Sequence, residues 1–193
     1  MMIIILIGPP GSGKTTQAKV LSKRLKVPAI LMGGILRQAK KAGTMLGQEA
    51  SKYTEEGKLI PSQMIRALTK FRLEDNDCKS GFVLDGAPRK VEEAVFLDDY
   101  LNRKNMKVDK VFILEINKSE IINRILVRSK LPSKNGGGRN DDNIEDIKVR
   151  IQEFTDYASD LKSYYQNKEI LCVIDGRKSI EEVTNRIFSE LQL

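Results

Sequence analysis

Gly8-Pro9-Pro10-Gly11-Ser12-Gly13-Lys14-Thr15 is the stretch that decides the fold of this chain. It fits the pattern G-x-x-x-x-G-K-[S/T] and follows an apolar run, residues 2–7, that is rich in isoleucine. In this pattern the glycines leave room for backbone amides to converge on phosphate oxygens where a strand gives way to a helix. The lysine adds a point charge, and the threonine hydroxyl suits Mg²⁺. We therefore expect a strand, a phosphate-binding loop and a helix, with Lys14 and Thr15 facing a polyphosphate.

Apolar runs of the same kind recur along the chain, and helical patterns separate them. The predicted strands are residues 2–7, 29–32, 81–84, 111–116 and 170–174. The predicted helices are residues 15–26, 34–41, 62–75, 91–103, 119–129, 143–165 and 179–191. Both faces of such apolar strands must be covered, which is typical of a buried parallel sheet with right-handed crossovers. The expected fold class is therefore α/β, with a three-layer, doubly wound, parallel five-stranded sheet of the P-loop NTPase type.

Length and composition predict one folded domain over residues 1–193. Of the 193 residues, 40% are hydrophobic and 31% are charged, which excludes a disordered or fibrous chain. The sequence has no histidine, and this excludes a histidine general base, a Ser-His-Asp triad and histidine-ligated metals. Cys78 and Cys172 are isolated in sequence. We expect both to be buried small hydrophobes of a reduced protein rather than a disulfide pair.

The charge balance favours a polyanionic partner. Lysine and arginine number 33 against 26 acidic residues, a formal net charge of +7. Nucleic acid, an acidic membrane and nucleotide phosphates all satisfy this balance, so charge alone leaves the partner open. The apolar run at residues 2–7 is too short for a signal peptide or a membrane span. We expect a cytoplasmic protein without a membrane partner, and leave its oligomeric state open.

A second chemical signal lies in residues 82–86, where an apolar strand delivers the carboxylate of Asp85. Ligands of open α/β sheets bind at the carboxyl ends of the strands. Asp85 is therefore placed to hold Mg²⁺ beside the phosphate loop, whereas a plain Asp-Gly turn is the alternative.

Arginines form the third signal. Arg124 and Arg128 are four residues apart on one predicted helix, where like charges repel unless an anion lies between them. A surface ion pair with Glu120 is the alternative for Arg124. Arg139 follows three glycines, and Arg150 lies on the next predicted helix. Such a set of cations suits a triphosphate, because phosphoryl transfer develops charge that arginine can neutralise.

In this order, the motifs resemble the adenylate kinase family of nucleoside monophosphate kinases. The resemblance covers essentially the whole chain and rests on residues 8–15, 33–37, 57–61, 85–89, 124 with 128, 138–143, 150 and 175–176. It implies a monophosphate-binding flap at about residues 33–62 and a short lid at about 129–140, without a zinc insert. It also implies Mg²⁺-dependent transfer of the terminal phosphoryl group of ATP to AMP.

The resemblance assigns roles to individual residues. The residues implied to bind ATP are Gly8, Gly11, Ser12, Gly13, Lys14, Thr15, Thr16, Arg124, Arg128 and Lys178. The residues implied to bind the monophosphate are Met32, Gly33, Arg37, Lys58, Ile60, Gly86, Arg89, Glu93, Arg139 and Arg150. The catalytic cations are expected to be Lys14, Arg89, Arg124, Arg128, Arg139 and Arg150. Asp141 and Asp142 would steady the lid, and Thr15 and Asp85 would hold Mg²⁺, partly through water.

The chain departs from the family pattern at the acceptor site. It has Met32 and Gly34 where a threonine and an aspartate are usual, and Ala87 and Lys90 where the family has phenylalanine and threonine. Glu93 stands where a glutamine reads adenine. An ionised carboxylate only accepts hydrogen bonds, whereas an amide both donates and accepts. We therefore expect weaker base discrimination, with UMP the poorest acceptor.

Three other functions compete with this interpretation. A UMP/CMP-type or broad-specificity nucleoside monophosphate kinase would share every motif. A small kinase acting on a sugar, shikimate or a protein is disfavoured by the motif at residues 85–89. A nucleotide-dependent, nucleic-acid-associated module would need exposed aromatics along a basic stripe. Tyr157, Tyr164 and Tyr165 fall at helical spacing beside Phe154, which favours packing instead.

Overall fold

The computed structural model describes residues 1–55, 60–129 and 144–193, with side chains throughout except at 54–55, 128–129 and 144–147. Strands and helices alternate along these ranges. In chain order they are β1 (Met2–Ile7), α1 (Lys14–Leu25), β2 (Ala29–Leu31), α2 (Met32–Lys41), α3 (Met45–Glu55), α4 (Ser62–Leu73), a 3₁₀ helix (Asn76–Ser80), β3 (Gly81–Asp85), α5 (Val91–Asn102), β4 (Lys110–Glu115), α6 (Lys118–Ser129), α7 (Ile144–Gln166), β5 (Leu171–Asp175) and α8 (Ile180–Glu190).

The five strands form one parallel sheet in the order β2-β3-β1-β4-β5. The predicted α/β class with a doubly wound five-stranded sheet is therefore confirmed. β1 is the central strand, and its register aligns Leu6 with Asp85 of β3 and with Phe112 of β4. The carboxyl ends of β1 and β3 consequently meet at the same edge of the sheet, which brings the glycine-rich loop beside Asp85.

The core lies on both faces of this sheet. Ile3, Ile5 and Ile7 of β1 point into a cluster shared with α4, α5 and α7. The alternate residues Ile4 and Leu6 point into a second cluster, shared with α1 and α8. This alternation explains why β1 is apolar at every position: helices cover it on both sides.

The ends of the predicted helices differ from the observed ones by two residues at most. Residue 32 is not the last residue of a strand, because α2 begins at Met32 and shortens β2 to three residues. Met32 is 1% exposed. An apolar residue can be buried in a helix or in a strand, so its hydrophobicity alone did not distinguish the two. Ser179 caps α8, since its hydroxyl and the Glu182 carboxylate form a reciprocal capping box.

The two cysteines differ in their surroundings. Cys78 is buried as predicted, and burial raises the pKa of its thiol to about 11. Cys172 is only half-buried, which corrects the prediction for that residue, and its Sγ lies 3.4 Å from a carboxylate oxygen of Glu190. Burial raises the pKa of this thiol as well. The helices within the described ranges are each too short or too polar to span a bilayer.

Substitution of Phe112 tests the contribution of the central core to stability. The ring of Phe112 is fully buried on β4, so Phe112→Ala should lower the free energy of unfolding by about 3–5 kcal/mol in urea denaturation. Phe71 is 73% exposed, and Phe71→Ala should change the same quantity by less than about 0.5 kcal/mol. Equal losses in the two variants would contradict this assignment of the core.

Candidate active site

The glycine-rich loop wraps around the end of β1 and is closed by its own backbone. The amide of Ser12 donates to the carbonyl of Pro9 at 3.2 Å. Gly11 and Gly13 have φ values of +78° and +93°, a region that side-chain-bearing residues rarely adopt. A Cβ at Gly11 would also lie 3.1 Å from Cγ1 of Ile125 on α6. Glycine at position 11 therefore serves both the turn and the close packing of the loop on α6.

Lys14 lies inside this loop. Its Nζ donates to the carbonyl of Pro9 at 2.8 Å and approaches Oγ of Ser12 at 3.4 Å. Gly13 is the N-cap of α1, so the first amides of that helix face the same space as the ammonium group. Amides and an ammonium that converge in this way suit the oxygens of a phosphate chain.

Thr15 and Asp85 meet where the ends of β1 and β3 adjoin. Oγ1 of Thr15 donates to Oδ2 of Asp85 at 2.6 Å, across 70 positions of sequence. Asp85 is 6% exposed. Mg²⁺ prefers oxygen ligands and is held in phosphoryl-transfer sites by one or two carboxylates together with substrate phosphates. A hydroxyl and a nearly buried carboxylate in contact fit this requirement.

The turn after β3 carries Arg89, whose binding of the acceptor phosphate stays a prediction. The Nε of Arg89 donates to the carbonyl of Gly86 at 3.3 Å, and its backbone N–H donates to a carboxylate oxygen of Glu93 at 2.8 Å. The other oxygen of Glu93 accepts from the hydroxyl of Ser62 at 2.9 Å. Glu93 is only 5% exposed. Its two hydrogen bonds connect the backbone of Arg89 to the start of α4.

The start of α2 borders the same region. A Cβ at Gly33 would lie 3.3 Å from Nη1 of Arg37, so the glycine leaves room for this guanidinium beside the first turn of the helix. Met32 is fully buried, and its Sδ accepts from the hydroxyl of Thr69 at 3.8 Å. Met32 and Ile60 both belong to the core cluster that contains Ile3, Ile5 and Ile7, and their contact with a monophosphate stays a prediction.

Arg124 reaches the turn that follows β5. Its Nη1 donates to the carbonyl of Gly176 at 2.8 Å and its Nη2 to that of Arg177 at 3.1 Å. Its Nε pairs with Glu120 at 2.7 Å, so the alternative ion pair exists together with the long-range contacts. The two Nη donors face the turn at the carboxyl end of β5. Phosphate binding by Arg124 stays a prediction.

Several predicted site residues fall outside the described part of the chain. They are Lys58, Arg139, Asp141 and Asp142, together with the side chain of Arg128. The predicted lid at about 129–140 lies almost wholly there. Thr16 and Lys178 are described and are exposed at the same edge of the sheet, and Arg150 is half-buried on α7.

Sequence reasoning missed two polar residues, Ser62 and Gln17, because single polar residues in helices carry no motif signal. The packing predicted for Tyr157 is confirmed, since it packs against the core with Phe154. Tyr157 also lies near Arg89 at the site. Burial raises the pKa of the Tyr157 phenol, and the Arg89 guanidinium works in the opposite direction. The phenol is therefore protonated at neutral pH and able to donate a hydrogen bond.

A phosphate loop on the central strand, a carboxylate on the neighbouring strand and cations on both sides define a P-loop enzyme of nucleotide phosphates. The family model for adenylate kinase matches residues 6–170 of the chain. The adenylate kinase of Leptospira biflexa serovar Patoc is 39% identical over 191 residues, 99% of this chain and 100% of that protein. Adenylate kinase 1 of Nostoc sp. is 39% identical, covering 99% of each chain, and the adenylate kinase of Thermobifida fusca is 36% identical, covering 99% and 98%.

The chain belongs to the adenylate kinase family, and it is a nucleoside monophosphate kinase.

Lys14→Met tests the phosphate loop directly. Methionine is similar in length to lysine but lacks the charged donor. The affinity for MgATP, measured by calorimetry, should therefore fall about 10- to 100-fold. Lys19→Met removes an exposed charge from the same helix and should change the affinity less than about twofold. Equal affinities for the two variants would contradict the placement of the phosphates.

Proposed function

We propose that this chain catalyses the reversible, Mg²⁺-dependent transfer of the terminal phosphoryl group of ATP to AMP, giving two ADP, in the cytoplasm. The observation that carries the proposal is the common sheet edge on which Lys14 and Arg89 flank the Thr15–Asp85 contact. Lys14 takes the donor phosphates, and Arg89 takes the phosphate of the acceptor. The family and the adenylate kinase names of the relatives support this assignment.

The proposed catalysis is positioning together with neutralisation of charge. The chain has no histidine, and arginine and lysine stay protonated at neutral pH, so these groups do not act as general bases. Lys14 and the loop amides hold the donor in line with the acceptor, while Arg89 fixes the attacking phosphate oxygen. Mg²⁺ held at Thr15 and Asp85 would neutralise charge on the donor phosphates. Direct in-line transfer then needs no covalent intermediate.

The proposed domain organisation has one kinase domain over residues 1–193 with two appended segments. Residues 33–62 bind the monophosphate through Arg37 and Lys58, and residues 129–140 form a short lid. Arg128, Arg139 and Arg150 join the donor and transferring phosphates, and Asp141 and Asp142 steady the lid. Closing both segments would exclude water and so prevent hydrolysis of ATP.

Formation of ADP from ATP and AMP tests the proposed activity. Wild-type protein should form ADP with Mg²⁺ and lose this activity in EDTA. Arg89→Ala should lower kcat/KM at least about 10²-fold, because the variant no longer neutralises charge on the acceptor phosphate. Arg103→Ala, at the exposed end of α5, is the matched control and should behave as wild type. Near-wild-type kinetics for Arg89→Ala would refute its role.

Base specificity is proposed to be relaxed because of Glu93. Its two oxygens already accept from Ser62 and from the Arg89 backbone, so the carboxylate is held in place as an acceptor. Its remaining lone pairs suit the amino groups of adenine, cytosine and guanine, and guanine adds a neighbouring N1–H. The ring nitrogen N1 of adenine would instead face a second acceptor. UMP offers no amino group and should be the poorest substrate.

Glu93→Gln should restore discrimination in favour of AMP. The amide could accept from the Arg89 backbone and donate to Ser62 or to adenine, so the fold is kept. We expect the ratio of kcat/KM for AMP to that for GMP to rise about tenfold or more. Glu92→Gln changes the neighbouring exposed carboxylate, which pairs with Arg66, and should leave the ratio unchanged. A wild-type preference for AMP above about 10³ over all other monophosphates would contradict the proposal.

A further inference from the structure

Gln17 is a buried polar side chain whose hydrogen bonds connect two distant elements. It lies on α1, two residues after Thr15, and is 2% exposed. Its Nε2 donates to the carbonyl of Ile180 at 3.0 Å, and its Oε1 accepts from the hydroxyl of Thr184 at 2.8 Å. Because the carbonyl of Ile180 can only accept, the amide has one satisfactory orientation. The helix that begins at the phosphate loop is thereby joined to the first turn of α8.

The turn between β5 and α8, residues 175–179, is held from several sides. The amide of Gly176 donates to the carbonyl of Glu115 at 2.8 Å. A Cβ at Gly176 would lie 3.4 Å from the carbonyl oxygen of Ser12, so the turn lies against the phosphate loop itself. Arg124 donates to two carbonyls of this turn from α6, and Gln17 donates from α1 to the carbonyl of Ile180, the residue that follows the turn.

The turn therefore borders the donor site on the side of β4 and β5. A nucleotide whose phosphates occupy the loop after β1 extends along this edge of the sheet, towards either the acceptor side at β3 or the turn after β5. The resemblance to the adenylate kinase family, which implies that Lys178 binds ATP, assigns the base of the donor to this turn. The donor nucleotide then contacts two parts of the structure, the phosphate loop with α1 and the turn with α8. A displacement of about 1 Å of the turn relative to the loop would weaken binding of the nucleotide.

We propose that Gln17 is a positioning residue for the donor nucleotide: its amide sets the donor-base turn at residues 175–179 relative to the phosphate loop. The inference rests on the proposed function, because it takes ATP as the donor whose base meets this turn. It predicts that loss of the amide weakens binding of the nucleotide while the phosphate contacts alone are kept. A role limited to stability would instead lower the melting temperature without separating these two affinities.

Calorimetry of Gln17→Met with MgATP and with inorganic tripolyphosphate in Mg²⁺ separates the two cases. Methionine has a similar length and volume and forms neither of the two strong hydrogen bonds. The dissociation constant of MgATP should rise about 5- to 20-fold, whereas that of tripolyphosphate should change less than about twofold. Ser22→Ala is the matched control, since it removes a hydrogen bond of 2.6 Å to the Val27 carbonyl from the same helix. It should lower the melting temperature and leave both constants unchanged.

Thr184→Val provides a second variant should Gln17→Met not fold. It removes the hydroxyl, which lies 2.8 Å from Oε1 of Gln17 and 2.7 Å from the carbonyl oxygen of Ile180, but keeps the bond from Nε2 of Gln17 to that carbonyl. We expect a two- to fivefold loss of affinity for MgATP alone. Equal weakening of both ligands, or weakening of neither, in the variants of Gln17 and Thr184 would overturn the inference. If wild-type protein binds MgATP no better than tripolyphosphate, the inference about Gln17 is also overturned, whereas the proposed phosphoryl transfer is not contradicted. Wild-type protein that binds MgATP through its base but forms no ADP would refute the proposed function instead.

Discussion

Burial of β1 on both faces is the constraint on which the rest of the structure depends. Neighbouring side chains of this strand point into opposite layers of helices, and β3 and β4 flank it in the sheet. The loop that follows β1 is consequently anchored at the centre of the molecule rather than at an edge. Backbone amides and Lys14 can then hold fixed positions around an anion, since the strand beneath them cannot shift without disturbing both cores.

Because the strands are parallel, side chains and turns from β3 on one side, and from β4 and β5 on the other, lie beside the loop that follows β1. Asp85 ends the strand that pairs with β1, and the alignment with Leu6 brings its carboxylate to Thr15. The turn carrying Arg89 follows directly. On the other side, β4 and β5 deliver the turn that Arg124 and Gln17 hold. The order of strands thus separates the proposed donor surface from the proposed acceptor surface, with the phosphate loop between them.

Polar groups of the site satisfy one another in the arrangement described. Lys14 donates to Pro9, Thr15 to Asp85, and the backbone of Arg89 to Glu93. Buried polar groups without partners are costly, so these contacts stabilise the site before any nucleotide binds. They also keep the side chains close to the positions that the proposed reaction requires, which limits the ordering that substrate binding must supply.

The sequence by itself determined the sheet, the phosphate loop and the family, because apolar strands covered on both faces and a spaced glycine-lysine motif are local patterns. Only the tertiary structure decided that Ser62 donates to Glu93, that Arg124 reaches the turn at Gly176, and that Gln17 meets Thr184. These contacts join residues that are 31 to 167 positions apart, and their geometry depends on how helices pack across the sheet rather than on any local preference.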